Sequence, residues 1–238
     1  MRLRHSDDLW RDHPDLVPGV LIARGITNAP RVDDAFDRFT GIAAERLAQN
    51  PESEFPEIQA WRRAFSRMGL KPTQYRCAAE SLLRRFRKDG SLPRLHPMID
   101  LCNATSLAFA IPIAVFDIER IAGDLTVRYA TGAETFSTFA GEHEHPDPTE
   151  VVFADAEGRA HARRWTHRQG ADSAVRPETR SVLIVAEAMH SSARSDIARL
   201  TEALAKEIDG AWGAMPQTAI LSATSPELDP SGSGRDRA

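Results

Sequence analysis

LPRLHPMIDLCNATSLAFAIPIAVFD (92–117), running on into IERIAGDLTVRYATGAETF (118–136), is the stretch whose reading decides the fold. Its first half sets Met98, Ile99, Leu101, Cys102, Leu107 and Phe109 around a short polar insert of Asp100, Asn103, Thr105 and Ser106, and then becomes an apolar strand, Ile111 to Phe116. A polar group in such a setting finds partners or costs about 1–3 kcal/mol. Asn103, with a donor and an acceptor on one amide, is therefore either a ligand-binding residue or a tie between its helix and a neighbouring loop. The hydroxyls of Thr105 and Ser106 either support it or bond back to the preceding helical turn.

Working outward, Leu16 to Ile26 reads as a strand, from its Val and Ile content and its bounding Pro and Gly. A helix is expected over 33–49, where Phe36, Phe39, Ile42, Ala43 and Leu47 share one face. Further helices are expected over 56–68 and 73–88, the latter capped by Thr73. Strands follow at 111–116, 125–130, 150–154, 160–167 and 182–186. A closing helix covers 195–209 and ends at Gly210. From Ser222 onward the chain is polar and rich in Pro, Gly and Ser, which predicts a disordered tail over 222–238 behind a single module of residues 1–221. Helices first, then mostly strands, then a helix predict an α+β fold with a mixed or antiparallel sheet packed with helices.

With 238 residues, 42% hydrophobic and 27% charged, the chain has enough apolar content for one large core. The longest apolar run, Ile111 to Phe116, is far too short to cross a bilayer, so the expectation is a soluble cytoplasmic protein without a membrane partner. Cys77 and Cys102 lack CxxC spacing and sit in apolar helical patterns, which predicts buried reduced thiols. The GEHEHP run (141–146) is not HExxH and predicts no metal site. No phosphate-binding or dinucleotide glycine pattern is present, so no cofactor is expected. The net charge of −4 argues against a globally basic nucleic-acid binder. From Trp61 to Arg94, however, ten basic residues face two acidic ones, a local excess of +8 that leaves −12 for the remainder. Arg76, Arg84, Arg85, Arg87 and Lys88 fall mostly outside the apolar stripe of the expected 73–88 helix, so they are either a face for a nucleic-acid backbone or a solvated surface.

The ordered pattern Asp-x-x-Asn, Pro-x-x-x-Phe-Asp, Ile-x-Gly-x-Leu-x-Val-Arg and Gly-x-Glu, continued by EVVFADAEGRAHARRW (150–165) and PETRSVLIVAEA (177–188), resembles the editing domain of the bacterial phenylalanyl-tRNA synthetase beta subunit. That module is also called the B-three/B-four domain. The resemblance covers roughly residues 60–190 and is that of a free-standing version of the domain. It implies a protein that handles aminoacyl-tRNA, with a synthetase as a second candidate partner, and an activity that hydrolyses the ester of a misacylated tRNA, tyrosine on phenylalanine tRNA being the first substrate to consider. Two alternatives stand beside it: a non-catalytic tRNA, RNA or amino-acid-binding module, and an aminoacyl-tRNA-dependent transferase.

By the same resemblance Asn103, Thr105, Glu134, Arg168, Gly170 and Glu187 are the candidate substrate-binding residues. Glu187 corresponds to the family's recognition carboxylate only with a shift of two positions, since Val185 occupies the aligned place; residues two apart share a strand face. Ala114 stands where the family has a histidine. Trp165 to Gly170 occupies the place of the family's glycine-rich loop, with His167 and Arg168 in place of small residues. No catalytic residue is assigned from the sequence. No Ser-His-Asp or Cys-His arrangement is visible, and a positioned water is the expected nucleophile.

Overall fold

The structure, a computed structural model, describes residues 1–228. The chain runs β1 (Leu3–His5), α1 (Asp7–Asp12), β2 (Val17–Arg24), α2 (Asp33–Gln49), α3 (Pro56–Arg67), α4 (Ala78–Asp89), α5 (Pro97–Phe109), β3 (Ile113–Asp117), β4 (Leu125–Tyr129), β5 (Phe136–Ser137) and β6 (His143–Glu144). It continues with β7 (Val151–Ala154), β8 (Ala160–Arg163), β9 (Arg168–Gln169), β10 (Ser181–Ala188), α6 (Ala193–Trp212), β11 (Gln217–Ile220) and β12 (Glu227–Leu228). The fold is α+β with mixed and antiparallel sheets.

One sheet has four antiparallel strands in the order β11-β2-β10-β3. A larger sheet runs β12-β1-β4-β7-β8-β9 and is antiparallel except for β1, which pairs parallel with β4. β10 is the inner strand of the smaller sheet, and each of its residues after Ser181 is buried, which is why SVLIVAEA reads as an almost unbroken apolar run rather than an alternation. Phe116 of β3 lies 5.4 Å from Phe153 of β7, ring to ring, where the two sheets meet. On the other side α6 packs on β2 so closely that a Cβ at Gly19 would stand 2.6 Å from Ile197 and 2.7 Å from Thr201. The segments quoted above are also joined directly: buried Asp117, at the end of β3, accepts a hydrogen bond from the Thr179 hydroxyl (2.7 Å) before β10 begins.

Four sequence expectations need correction. The 73–88 helix begins only at Ala78, with Cys77 and not Thr73 as its N-cap, because the Ala78 amide and the Arg76 carbonyl are both engaged by the turn after β8. The 160–167 strand splits into β8 and β9, since Arg164 and Trp165 adopt positive φ (48° and 57°) and turn the chain. The closing helix runs through Gly210 and ends at Gly213, whose φ of 62° makes the left-handed cap. Residues 222–228 of the expected tail are ordered: Ser222 and Ser225 bridge a turn and β12 pairs with β1, which gives an otherwise open strand edge its partner. Residues 229–238 lie outside the described residues. Cys77 and Cys102 are buried and free, and burial pushes the Cys77 thiol up to about 12. Among the described residues no helix is long and apolar enough to cross a membrane.

Candidate active site

A cleft opens where β3 and β10 of the smaller sheet face β7, β8 and the turn over 164–169. Register brings its walls together. Val185 of β10 is paired with Ala114 of β3, and Glu187, two residues further along, shares the Val185 face. Pro112, Ile113, Ala114, Phe153, Ala162 and Val185 make an apolar lining, and Trp165, Thr166, His167, Arg168, Gln169 and Glu187 bring the polar groups. The water-accessible space is about 50 Å³, enough for a few waters at roughly 10–15 Å³ each.

Glu187 is 1% exposed, and a buried carboxylate persists only where donors satisfy it. Trp165 Nε1 donates to Oε2 at 3.0 Å, and His5 Nε2 lies 2.8 Å from Oε1. Trp61 Nε1 donates to its backbone carbonyl at 3.2 Å and packs edge-on against Trp165 at 5.0 Å. The two strained φ values therefore serve an evident end: they swing a fully buried indole under β10. The same turn presents His167 and Thr166. His167 Nδ1 lies 2.7 Å from the Arg76 carbonyl, which fixes that nitrogen as the donor and leaves Nε2 with its lone pair and without a partner among the described residues. Burial lowers the His167 pKa, against the opposing pull of the Arg76 carbonyl, so the ring is neutral at pH 7. Thr166 Oγ1 is buried and has no partner among the described residues.

Of the residues singled out from the sequence, Glu187 and Arg168 line this cleft. Arg168 is exposed at the rim and donates to Glu144 at 2.9 Å. Gly170 sits just behind the lining, where a Cβ would meet Phe136 and the Ser137 carbonyl, each at 3.2 Å. Asn103 does not line the cleft; it is half-buried on α5 with no hydrogen bond to its side chain among the described residues. Thr105 bonds back to the Leu101 carbonyl at 2.8 Å. Glu134 ties up its own turn, accepting from the amides of Thr131 (3.0 Å) and Gly132 (3.1 Å) and pairing with Arg128 at 2.5 Å. Burial alone would raise that carboxyl, but the Thr131 amide and the Arg128 guanidinium outweigh it and hold it at about 2.

The expected basic face is largely consumed within the fold. Arg84 and Arg87 pair with buried Glu52 at 3.3 and 2.8 Å, Arg76 with buried Glu80 at 3.4 Å, and Arg85 with Asp89 at 3.7 Å. The buried carboxylates require these cations, so only Lys88 of the five has no carboxylate partner among the described residues. Elsewhere Glu57, His190 and Asp196 bring one ligand atom each to within 4.8 Å, but Arg46 already holds Glu57 (2.8 Å) and Arg199 holds Asp196 (2.5 Å), which makes a poor place for a metal cation.

The sequence pointed to His167 only as a larger residue in the place of the family's glycine-rich loop, and it gave His5, Trp165 and Thr166 no role; nothing local signals His5.

The model of the B3/4 domain family matches residues 60–206. The chain is 28% identical over 103 residues to the phenylalanine–tRNA ligase beta subunit of Legionella pneumophila (strain Lens), covering 43% of this chain and 13% of that protein. It is 36% identical over 73 residues to that of Methylococcus capsulatus, covering 31% of this chain and 9% of the relative. The matched segments thus span about a tenth of these relatives' length. An N-terminal fragment of the phenylalanyl-tRNA synthetase beta subunit from Pyrococcus horikoshii superposes with a TM-score of 0.49 at 10% identity, over 92% of this chain and 53% of that one. With the family match extending from α3 into α6 and taking in both walls of the cleft, the chain belongs to the B3/4 domain family.

Proposed function

We propose that this protein is a deacylase acting in trans on aminoacyl-tRNA, with the acyl group entering the cleft between β3, β10 and the 164–169 turn. The observation that carries the reading is the pairing, at one apolar cleft, of a neutral imidazole fixed through its Nδ1 with a buried hydroxyl that has no partner among the described residues. His167 lines the same cleft as Ala114, so it supplies an imidazole that β3 does not.

In the reaction, His167 Nε2 takes a proton from a water as its oxygen bonds to the ester carbonyl carbon. The Thr166 hydroxyl donates to the carbonyl oxygen as charge builds there. Collapse breaks the bond to the ribose oxygen, which receives the proton from His167, and free amino acid and tRNA leave. Glu187 is a positioning residue: both of its oxygens are engaged by Trp165 and His5, and through Trp165 it holds the turn that carries His167. Val185 offers no hydrogen bond to a phenolic hydroxyl and the cleft is small, which favours a small apolar side chain over tyrosine.

The test is a panel of radiolabelled aminoacyl-tRNAs, including tyrosine on phenylalanine tRNA, incubated with wild type and with His167→Gln. Release of a small amino acid well above the uncatalysed rate, reduced about 100-fold in His167→Gln, is expected. Release by neither protein removes the deacylase reading. The small volume of the cleft favours a second reading, a non-catalytic module that retains aminoacyl-tRNA, and protection of the panel from spontaneous hydrolysis would support it.

A further inference from the structure

We infer that the exposed edge of α3, with Arg63, Arg67 and the following Lys71, tracks the phosphodiester backbone of an RNA, and that the cleft beside Arg67 seats one of its phosphates. The choice of RNA as the polyanion rests on the proposed function; the surface itself does not. All three residues are exposed, and none has a carboxylate within 4 Å among the described residues, in contrast to Arg76, Arg84, Arg85 and Arg87 of the adjoining segment. Arg63 and Arg67 stand one turn apart on the same helix face, and Lys71 follows four residues on, after Gly69 (φ 76°) turns the chain. Three cations left unneutralised in a protein that pairs its neighbouring arginines with such consistency are free to release counterions from a polyanion.

At the end of this edge lies a cleft of about 560 Å³ with Arg67, His13, Tyr129 and Asp12 in its walls. The Arg67 guanidinium stands 3.4 Å from His13 Nδ1, so the buried imidazole accepts from it and adds no competing charge. Asp12, the carboxylate of this cleft, is already engaged by Arg11 at 2.9 Å and by the Tyr129 hydroxyl at 3.1 Å. His13 in turn packs edge-on against Trp165 at 4.8 Å, the same indole that holds Glu187. The phosphate cleft, lined by His13, and the candidate acyl cleft, lined by Trp165, are thus joined by one ring contact, which suits a chain terminus whose backbone and esterified end are gripped at once.

The experiment measures binding of a fluorescein-labelled tRNA by anisotropy between 50 and 200 mM salt. It compares wild type, the triple variant Arg63→Gln/Arg67→Gln/Lys71→Gln, and a charge-matched control, Arg24→Gln/Arg194→Gln/Lys206→Gln, built from exposed residues elsewhere that have no ion pair among the described residues. Loss of three contacts is expected to weaken binding on the order of 100-fold at 100 mM salt and to lower the salt slope by about 2–3, with the control within about 3-fold of wild type. Equal losses in both variants would reduce the effect to net charge and overturn the inference. So would wild type that binds no RNA at 50 mM salt, or that binds phosphatidylglycerol vesicles instead. RNA binding that depends on the α3 edge but is accompanied by no deacylation would remove the deacylase reading and leave this inference standing.

Discussion

Replacing Glu187 by Ala tests how the candidate site is held together. The substitution removes the acceptor of two buried donors, Trp165 Nε1 at 3.0 Å and His5 Nε2 at 2.8 Å, and both rings are fully buried. Each donor left unpaired costs about 1–3 kcal/mol, so the loss is expected at about 2–6 kcal/mol before any cavity contribution. For a domain of this size, a value near ~4 kcal/mol lowers the melting temperature by roughly 8–16 °C. The measurement is urea and thermal unfolding of Glu187→Ala, Trp165→Phe and the double variant. Because the two residues share one hydrogen bond, the double variant is expected to cost about 1 kcal/mol or more less than the sum of the singles. Strict additivity, or a Glu187→Ala loss below about 1 kcal/mol, would mean that the donors find other partners and that Glu187 does not position the turn. A loss of activity in Glu187→Ala is then to be judged only beside a folded control such as Glu187→Gln.

Other outcomes follow from the same geometry. Gly19→Ala is expected to cost about 1–3 kcal/mol by forcing α6 off β2, read as a fall in the urea midpoint at constant m-value. Acid unfolding is expected to show two separable windows. Burial and the Arg67 charge hold His13 down at about 4, so the unfolded chain binds the extra proton and stability is lost as pH falls from about 6.5 towards 4; His13→Gln flattens that limb. Glu134, held at about 2, contributes stability that is full above its ordinary value and lost as pH falls from about 4.5 towards 2, which Glu134→Gln removes; an unchanged profile in either variant would refute its assignment. Ala114→Leu is expected to fill a cleft of about 50 Å³ and abolish release of any amino acid while the melting temperature stays within a few degrees.

The parts of the fold legible in the sequence are those whose signal is local. The α2 helix carries a repeated apolar face, and β10 is a compact apolar run. Glu187 was legible for the same reason, as a carboxylate at the end of such a run. Its partner was not: β1 is three residues long, and His5 gains its meaning only from a contact 182 residues away. The 164–167 turn was hidden because non-glycine residues with positive φ leave no composition signal. The fate of the basic segment was hidden by distance as well, since Glu52 lies outside it and claims two of its arginines. Asn103 shows the reverse case: a local pattern made it a candidate, and it does not line this cleft.

The contact between His5 and Glu187 also sets an order of events at the ribosome. At roughly 5–20 residues per second, about 10–40 s separate the synthesis of these two residues. The parallel neighbour of β1, β4, appears 122 residues after it, so through much of that interval the first strand has neither sheet partner nor side-chain partner, while helices α2 to α5 have already been made. The candidate active site is therefore among the last parts of the molecule to be completed, and a nascent chain stalled before β10 would carry helices α2 to α5 without α6 and no site.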